Sequence, residues 1–368
     1  MNLKKQIRRL LALEFLSNFH LAGTAWVALL AVRGYSPVEI GLAEGFFHIV
    51  SLCGEIPSGM LADLLGRKKT LAASQVLCAL AAAAMMSSRG MVGLCLGMAL
   101  TAVSYNLVSG TREALTYDSL LQAGEAGGYL RLSSTQNVVY RVSGAAALCG
   151  AGLAVKLGHV GSYALDILFA AAAFCVALSL AEPVVTEAQA GRTTPRLREL
   201  PGLLLLCARD AAGFLRACPR ACALMLFNAL IGAGATLLGF FLQSSLVAAL
   251  EGPAALGPLL VVVALGNVAG SRLAPLAQRL PYWLAGVLDA ALVCLGVALG
   301  LTGCPLWMAA GGFLAGLGDD CFQLLTDARL NAMIPSDRRA TLISVSSMSF
   351  SVVMIALSPL AGLLFTAR

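Results

Sequence analysis

Apolar runs about 20 residues long, the length that crosses a bilayer's hydrocarbon core as one helix, recur from end to end of this chain. Inside lipid a helix satisfies its own backbone N–H and C=O groups where no water can. The chain is therefore expected to be an all-α membrane protein. Its composition agrees, with only 12% charged residues against about 25% in soluble domains. Eleven spans are expected, near 8–32, 37–62, 69–88, 91–121, 130–156, 160–181, 219–248, 254–275, 281–302, 306–331 and 340–366. The basic start (Lys4, Lys5, Arg8, Arg9) precedes an apolar run too long for a signal peptide, with no small-residue cleavage site, so it reads as the first span.

Segment 182–218 breaks the apolar pattern with Arg192, Arg196, Arg198, Arg209 and Arg216. It divides the chain into an N-terminal six-helix bundle (1–181), a cytoplasmic linker (182–218) and a C-terminal bundle (219–368) in which five helices are seen. Within the linker, Leu203–Cys207 is too short to span and reads as an amphipathic surface segment. Lysine and arginine stay on the cytoplasmic side of membrane proteins. The side holding the N-terminus collects Arg67, Lys68, Lys69, Arg131, the linker arginines, Arg272, Arg279, Arg338 and Arg339. The other side collects only Arg33, Arg89, Lys156 and Arg368. A cytoplasmic N-terminus in the plasma membrane is expected, and the net charge of +6 then belongs to loops, not to nucleic-acid binding.

Most of the 11 cysteines sit in apolar runs and read as buried, inert thiols, with neither disulfide framework nor zinc spacing. No phosphate-binding glycine loop, nucleophile elbow or metal motif is present. The chain is not read as an enzyme, and no cofactor or metal is expected.

Residues 59–71, between the second and third spans, read Gly-Met-Leu-Ala-Asp-Leu-Leu-Gly-Arg-Lys-Lys-Thr-Leu. Asp63 stands four residues before Arg67, and a carboxylate there accepts charge-assisted hydrogen bonds from a guanidinium or a helix N-terminus. Gly59 and Gly66 allow close helix approach and a tight turn. The loop after the fourth span (Gly124 to Ser134) and the loop after the tenth (Pro335 to Ser344) form a weak internal repeat. Such repeats are a common transporter plan.

On Gly59, Leu61, Ala62, Asp63, Gly66, Arg67, Lys68 and Leu71, the chain resembles the major facilitator superfamily. Glu55-Ile-Pro-Ser-Gly and the stretch from Ser109 to Leu120 resemble its bacterial proton-linked drug exporters. The resemblance implies two pseudo-symmetric helical bundles and secondary active transport by alternating access. It implies proton-coupled export of a small organic substrate, with protons and the lipid bilayer as the other partners. It also implies a gating cluster of Gly59, Asp63, Gly66, Arg67 and Asp118 that forms and breaks as the cytoplasmic side closes and opens. Three departures stand out. Leu64 replaces a basic residue, and the fifth span lacks a Gly-Pro step. The family has twelve spans and eleven are expected here, so either a terminal helix is missing from this sequence or the protein is an unusual natural form.

Ionisable residues inside spans are costly and usually face a cavity or one another. Glu44, His48, Ser51 and Glu55 form one polar stripe along the second span. Tyr105, Ser109 and Arg112 form another in the fourth, continued by Asn137, Tyr140 and Arg141 in the fifth. Asp319, Asp320, Gln323 and Asp327 crowd the tenth, and Ser344, Ser347 and Ser351 line the eleventh. Glu44 and Asp320 are the preferred proton carriers, while His48 is as readily a hydrogen-bonded core histidine. Arg112 and Arg141 could hold an organic anion, or each could serve a fixed ion pair such as Arg112–Glu113. Asp166 and Asp289 lie nearer span ends and read as structural or capping residues. Trp26, Asn106, Gln243 and Asn267 could line a cavity or join helices. Leu64 and the missing span also leave room for a non-transporting sensor or scaffold derived from a transporter.

Overall fold

The computed structural model describes residues 2–185, 209, 213, 216, 218–333 and 339–366. The linker segment Leu203–Cys207 and Arg338 fall outside them, as do the side chains of Asp63, Leu64 and 331–344. The described chain is helical throughout. The first span is a broken helix of α1 (Leu3–Asn18), α2 (Leu21–Thr24) and α3 (Trp26–Val32). Then come α4 (Pro37–Leu65), α5 (Arg67–Ser87), α6 (Gly90–Val108) and α7 (Thr111–Gln122), the last two sharing the fourth span. The fifth span is α8 (Tyr129–Cys149) continued by the part of α9 (Ala151–Ser179) before Gly158, and the sixth is the part of α9 after it. Inside α9 the helix turns at Gly158, whose φ of 73° is open only to glycine at low cost. The remaining five are α10 (Pro219–Ala249), α11 (Leu256–Ala277), α12 (Tyr282–Gly300), α13 (Pro305–Met333) and α14 (Arg339–Thr366).

Among the described residues, seven helical segments are long and apolar enough to cross a membrane. The other expected spans are the broken first helix and the helices interrupted by ionisable residues: α4 (Glu39, Glu44, Glu55), α8 (Arg131, Arg141) and α13 (Asp319, Asp320, Asp327, Arg329). The free cysteines depart from expectation, because Cys53, Cys149, Cys175 and Cys294 are exposed on helix surfaces. An apolar run in lipid need not face the protein interior, so apolar neighbours in sequence do not imply burial.

The chain forms two compact units. The first comprises 1–24, 50–147 and 159–207. Its core gathers Leu10, Leu13, Leu71, Ala72, Leu115, Ala173, Ala177 and Leu180. The break before α2 is capped from α9: Asp166 accepts N–H bonds from Leu21 (2.7 Å), Ala22 (3.2 Å) and Gly23 (2.9 Å). Asp166 is thus a capping residue. Asn106 also holds helices together here, accepting from Ser51 Oγ (2.9 Å) and donating to Ser51 O (2.7 Å).

The second unit comprises 25–49, 148–158 and 208–368. Here the N-terminal N–H groups of α3 meet α10, where Gln243 Oε1 accepts from Ala28 N (3.4 Å) and Phe240 meets Trp26 edge-on. Glycine seams draw its helices close. On α11, Gly266 and Gly270 lie directly on the carbonyls of Phe313 and Leu317 in α13, where any Cβ would collide. On the other side of α13, Gly311 faces Gly296 of α12. The first half of α4 runs antiparallel to α14: Gly362 meets Pro37, Gly41 meets Ser358, and Gly45 meets Ile355. Without a hydrophobic drive between helices in lipid, such close approach is what makes contacts productive.

Gly266→Val overpacks the α11–α13 seam and is expected to cost about 1–3 kcal/mol. Gly144→Ala, at a position with open space around it, is expected to leave stability unchanged. Thermal unfolding of the purified proteins in detergent checks both.

Candidate functional site

Three groups of polar side chains stand out. The first lies in the first unit, around the turn joining α4 to α5. Gly66 makes that turn at φ 94°, where a side chain would strain the backbone. The start of α5 is then tied down twice. Glu182, just past α9, accepts from Arg67 N (2.9 Å) and Lys68 N (2.7 Å). An anion at a helix N-terminus meets both unpaired N–H groups and the positive end of the dipole. The Arg67 guanidinium donates to Ala114 O of α7 (2.7 Å) and pairs with the Asp118 carboxylate. Of the expected gating residues, Gly66, Arg67 and Asp118 come together, while the side chain of Asp63 and the surroundings of Gly59 lie outside the described residues. Glu182 was not anticipated from the sequence. Its one signal is being the first acid after the sixth span.

The second group is centred on Arg112. Its Nη1 donates to Glu14 Oε1 (2.7 Å) and its Nη2 to Glu113 Oε1 (2.7 Å). Glu14 is 1% exposed and also accepts from Asn18 Nδ2 (3.0 Å). One guanidinium thus serves two carboxylates, which confirms the Arg112–Glu113 pair and adds Glu14. Tyr105 and Tyr140 are within electrostatic reach of Arg112 and of each other. Arg141 is exposed and pairs with no acid among the described residues. Glu14 was missed because a lone acid early in a span looks like a boundary residue.

The third group occupies the second unit. On α4, Glu44 Oε1 lies 3.3 Å from His48 Nε2, and His48 Nδ1 lies 3.3 Å from Ser351 Oγ on α14. Glu44, His48 and Ser351 are all buried. The rings of Phe47 and Phe350 flank the imidazole edge-on. A neutral His48 donates from Nε2 to Glu44 and accepts at Nδ1 from Ser351. A protonated one donates at both nitrogens. The imidazole thus ties Glu44 of α4 to Ser351 of α14 through both of its nitrogens. Its position follows the α4–α14 seam, since His48 opposite Ser351 is the next rung after Gly45 and Ile355.

Nearby in the same unit are the acids of α12 and α13. Asp320 Oδ2 accepts from Ser271 Oγ of α11 (3.1 Å). Gly232 of α10 leaves room for Asp319, whose Oδ1 would stand 3.1 Å from a Cβ there. The reading of Asp289 as a span-end residue is corrected. It is 2% exposed, faces Gly318 of α13, and neither carboxylate oxygen has a hydrogen-bond partner among the described residues. Its position along the apolar run gave no sign of this burial against α13.

No sequence-family profile and no curated protein matches this chain. Solved structures do. A mutant form of the nucleoside transporter NupG matches with a TM-score of 0.75 at 16% identity, over 98% of this chain and 96% of its own. A bacterial homolog of the human lysosomal transporter Spinster, inward-facing and unoccupied, matches at 0.71 and 17% identity, over 96% and 81%. A peptide transporter, POT, in complex with sulfate matches at 0.69 and 14% identity, over 99% and 90%. The fold is that of the major facilitator superfamily, in a multi-pass membrane protein.

The Arg67–Asp118 pair is mostly buried, so its two partners should be energetically coupled. A double-mutant cycle with Arg67→Gln and Asp118→Asn, read by thermal unfolding, is expected to show about 0.5–3 kcal/mol of coupling.

Proposed function

We propose that this chain is a proton-coupled secondary active transporter of small organic compounds. It works by alternating access of halves 1–181 and 219–368 about the linker 182–218, and proton re-entry drives export. The N-terminus faces the cytoplasm of the plasma membrane. The observation that carries the reading is the buried Glu44–His48–Ser351 chain, set in a fold shared with proteins named as nucleoside and peptide transporters. A titratable chain at membrane depth is expensive to keep, and a proton relay is the use that fits its geometry. Asp320, which accepts from the Ser271 hydroxyl, is the second proposed carrier. Gly66, Arg67 and Asp118, with Gly59 and Asp63 by resemblance, form the proposed gate.

Binding of an organic anion by Arg112 and Arg141 is less well supported. The Arg112 guanidinium is occupied by Glu14 and Glu113, which leaves Arg141 alone to attract a negative ligand.

Purified protein in vesicles loaded with a pH-sensitive dye tests the reading, with nucleosides, short peptides and hydrophobic organic cations as the panel. At least one compound is expected to move protons and to accumulate against its gradient when a pH difference is imposed. Glu44→Gln and Asp320→Asn are expected to abolish that accumulation and to spare gradient-independent exchange. Flux indifferent to the pH difference, or both variants still fully coupled, would remove protons from the account. No movement of any compound would favour a scaffold.

A further inference from the structure

α12 and α13 run antiparallel, and three rungs define their seam. At one end Tyr282 Oη is bonded to Thr326 Oγ1 at 2.8 Å, with the Arg329 guanidinium 4.8 Å above the tyrosine ring. At the other end Gly296 and Gly311 touch so closely that a Cβ on either would stand 2.6 Å from the opposing carbonyl. Midway, Asp289 faces Gly318, its Oδ1 2.6 Å from where a Cβ would be. Tyr282, Asp289 and Gly296 are seven residues apart, two helical turns each, so they share one face. Asp289 therefore occupies the central position of a tightly closed seam. Small residues hold the seam shut on one side of it and a hydrogen bond does so on the other.

Nothing at that position suits a carboxylate anion. Leu292 of α12 packs on Gly318 beside it, and one turn back Phe227 and Phe322 close over Gly286. The titratable groups facing Asp289 are Asp319 and Cys321, both on α13. Neither carries positive charge. Helix α10 adds none, since its titratable residues, Arg220 and Cys222, sit in its first turn. On α12 itself, Tyr282 is engaged by Thr326 and Cys294 is exposed. An isolated buried charge in such surroundings neutralises instead of persisting.

We propose that Asp289 carries a proton in the closed α12–α13 seam, and that losing it opens the seam. This is a protonation site separate from Glu44 and Asp320. The proton sits on a carboxyl oxygen of Asp289 and leaves to water. The carboxylate left behind is repelled by the neighbouring Asp319 and must gain hydration, which a closed seam does not provide. Raising the pH thus loosens α12 from α13, and lowering it closes them. A role for this proton in coupling rests on the transport reading; its residence on Asp289 does not.

Infrared difference spectroscopy of the substrate-free protein near neutral pH tests the residence. The carbonyl-stretch band of a protonated carboxylic acid is expected in the wild type and in Glu44→Gln, lost in Asp289→Asn and shifted in Asp289→Glu. Thermal unfolding as a function of pH tests the consequence. Wild type is expected to lose stability as the pH is raised into the alkaline range, and Asp289→Asn, which stays neutral, is expected to lose less. An unchanged band in Asp289→Asn, or identical alkaline profiles, overturns the proposal. If the band is assigned to Asp289 but the wild type shows no proton-linked flux, the transport reading fails and the protonation site stands.

Discussion

Helices in hydrocarbon gain nothing by hiding apolar surface from lipid, which is as apolar as they are. What holds them is close contact and the internal satisfaction of every polar group. Helix α13 shows the first condition. It is gripped by Gly266 and Gly270 of α11 on one side and by Gly296 of α12 on another, each glycine admitting a neighbour's backbone carbonyl. The breaks show the second. At three helix starts the free N–H groups find a side chain: Asp166 for α2, Gln243 for α3, and Glu182 for α5.

That condition sorts the ionisable residues. A hydrogen bond to a charged group is worth about 1.5–3 kcal/mol net. Placing a charge at the bilayer centre costs about 2.5–3.5 kcal/mol on insertion scales. Asp166 accepts from three N–H donors, and Asp118, Glu182 and Glu14 each have a cationic or N–H partner. These residues build structure. His48 instead bonds to Glu44 and Ser351, and Asp289 has no hydrogen-bond partner among the described residues, which is why these two carry the proposals made above.

Seven spans were legible as apolar runs of membrane length, while the broken first helix, α4, α8 and α13 carry glycine, polar or ionisable interruptions. The motif around Arg67 was legible through the family resemblance, which also pointed to Asp118, the acid that pairs with Arg67. Other features depended on how a helix is rotated about its axis, which an apolar run does not encode. Asp289 looked peripheral by distance from the run's end, yet rotation puts it in a seam. Cys53 and Cys294 looked interior and instead face outward. Glu14 and Glu182 were hidden for another reason: their partners, Arg112 and the N–H groups of Arg67 and Lys68, lie far away in sequence.

The two seams of the second unit share a design. Between α4 and α14 the rungs from Pro37–Gly362 to Gly45–Ile355 are built of small residues and bare carbonyls, and the next rung is His48–Ser351. Between α12 and α13 the Gly296–Gly311 rung is followed by Asp289 opposite Gly318. In both, glycine brings the helices near enough that a titratable side chain at the adjoining rung must be accommodated or expelled. A seam of leucines would hold its helices farther apart and leave room for water beside a charge. A glycine seam removes that room, which is the premise of the protonation site we propose at Asp289.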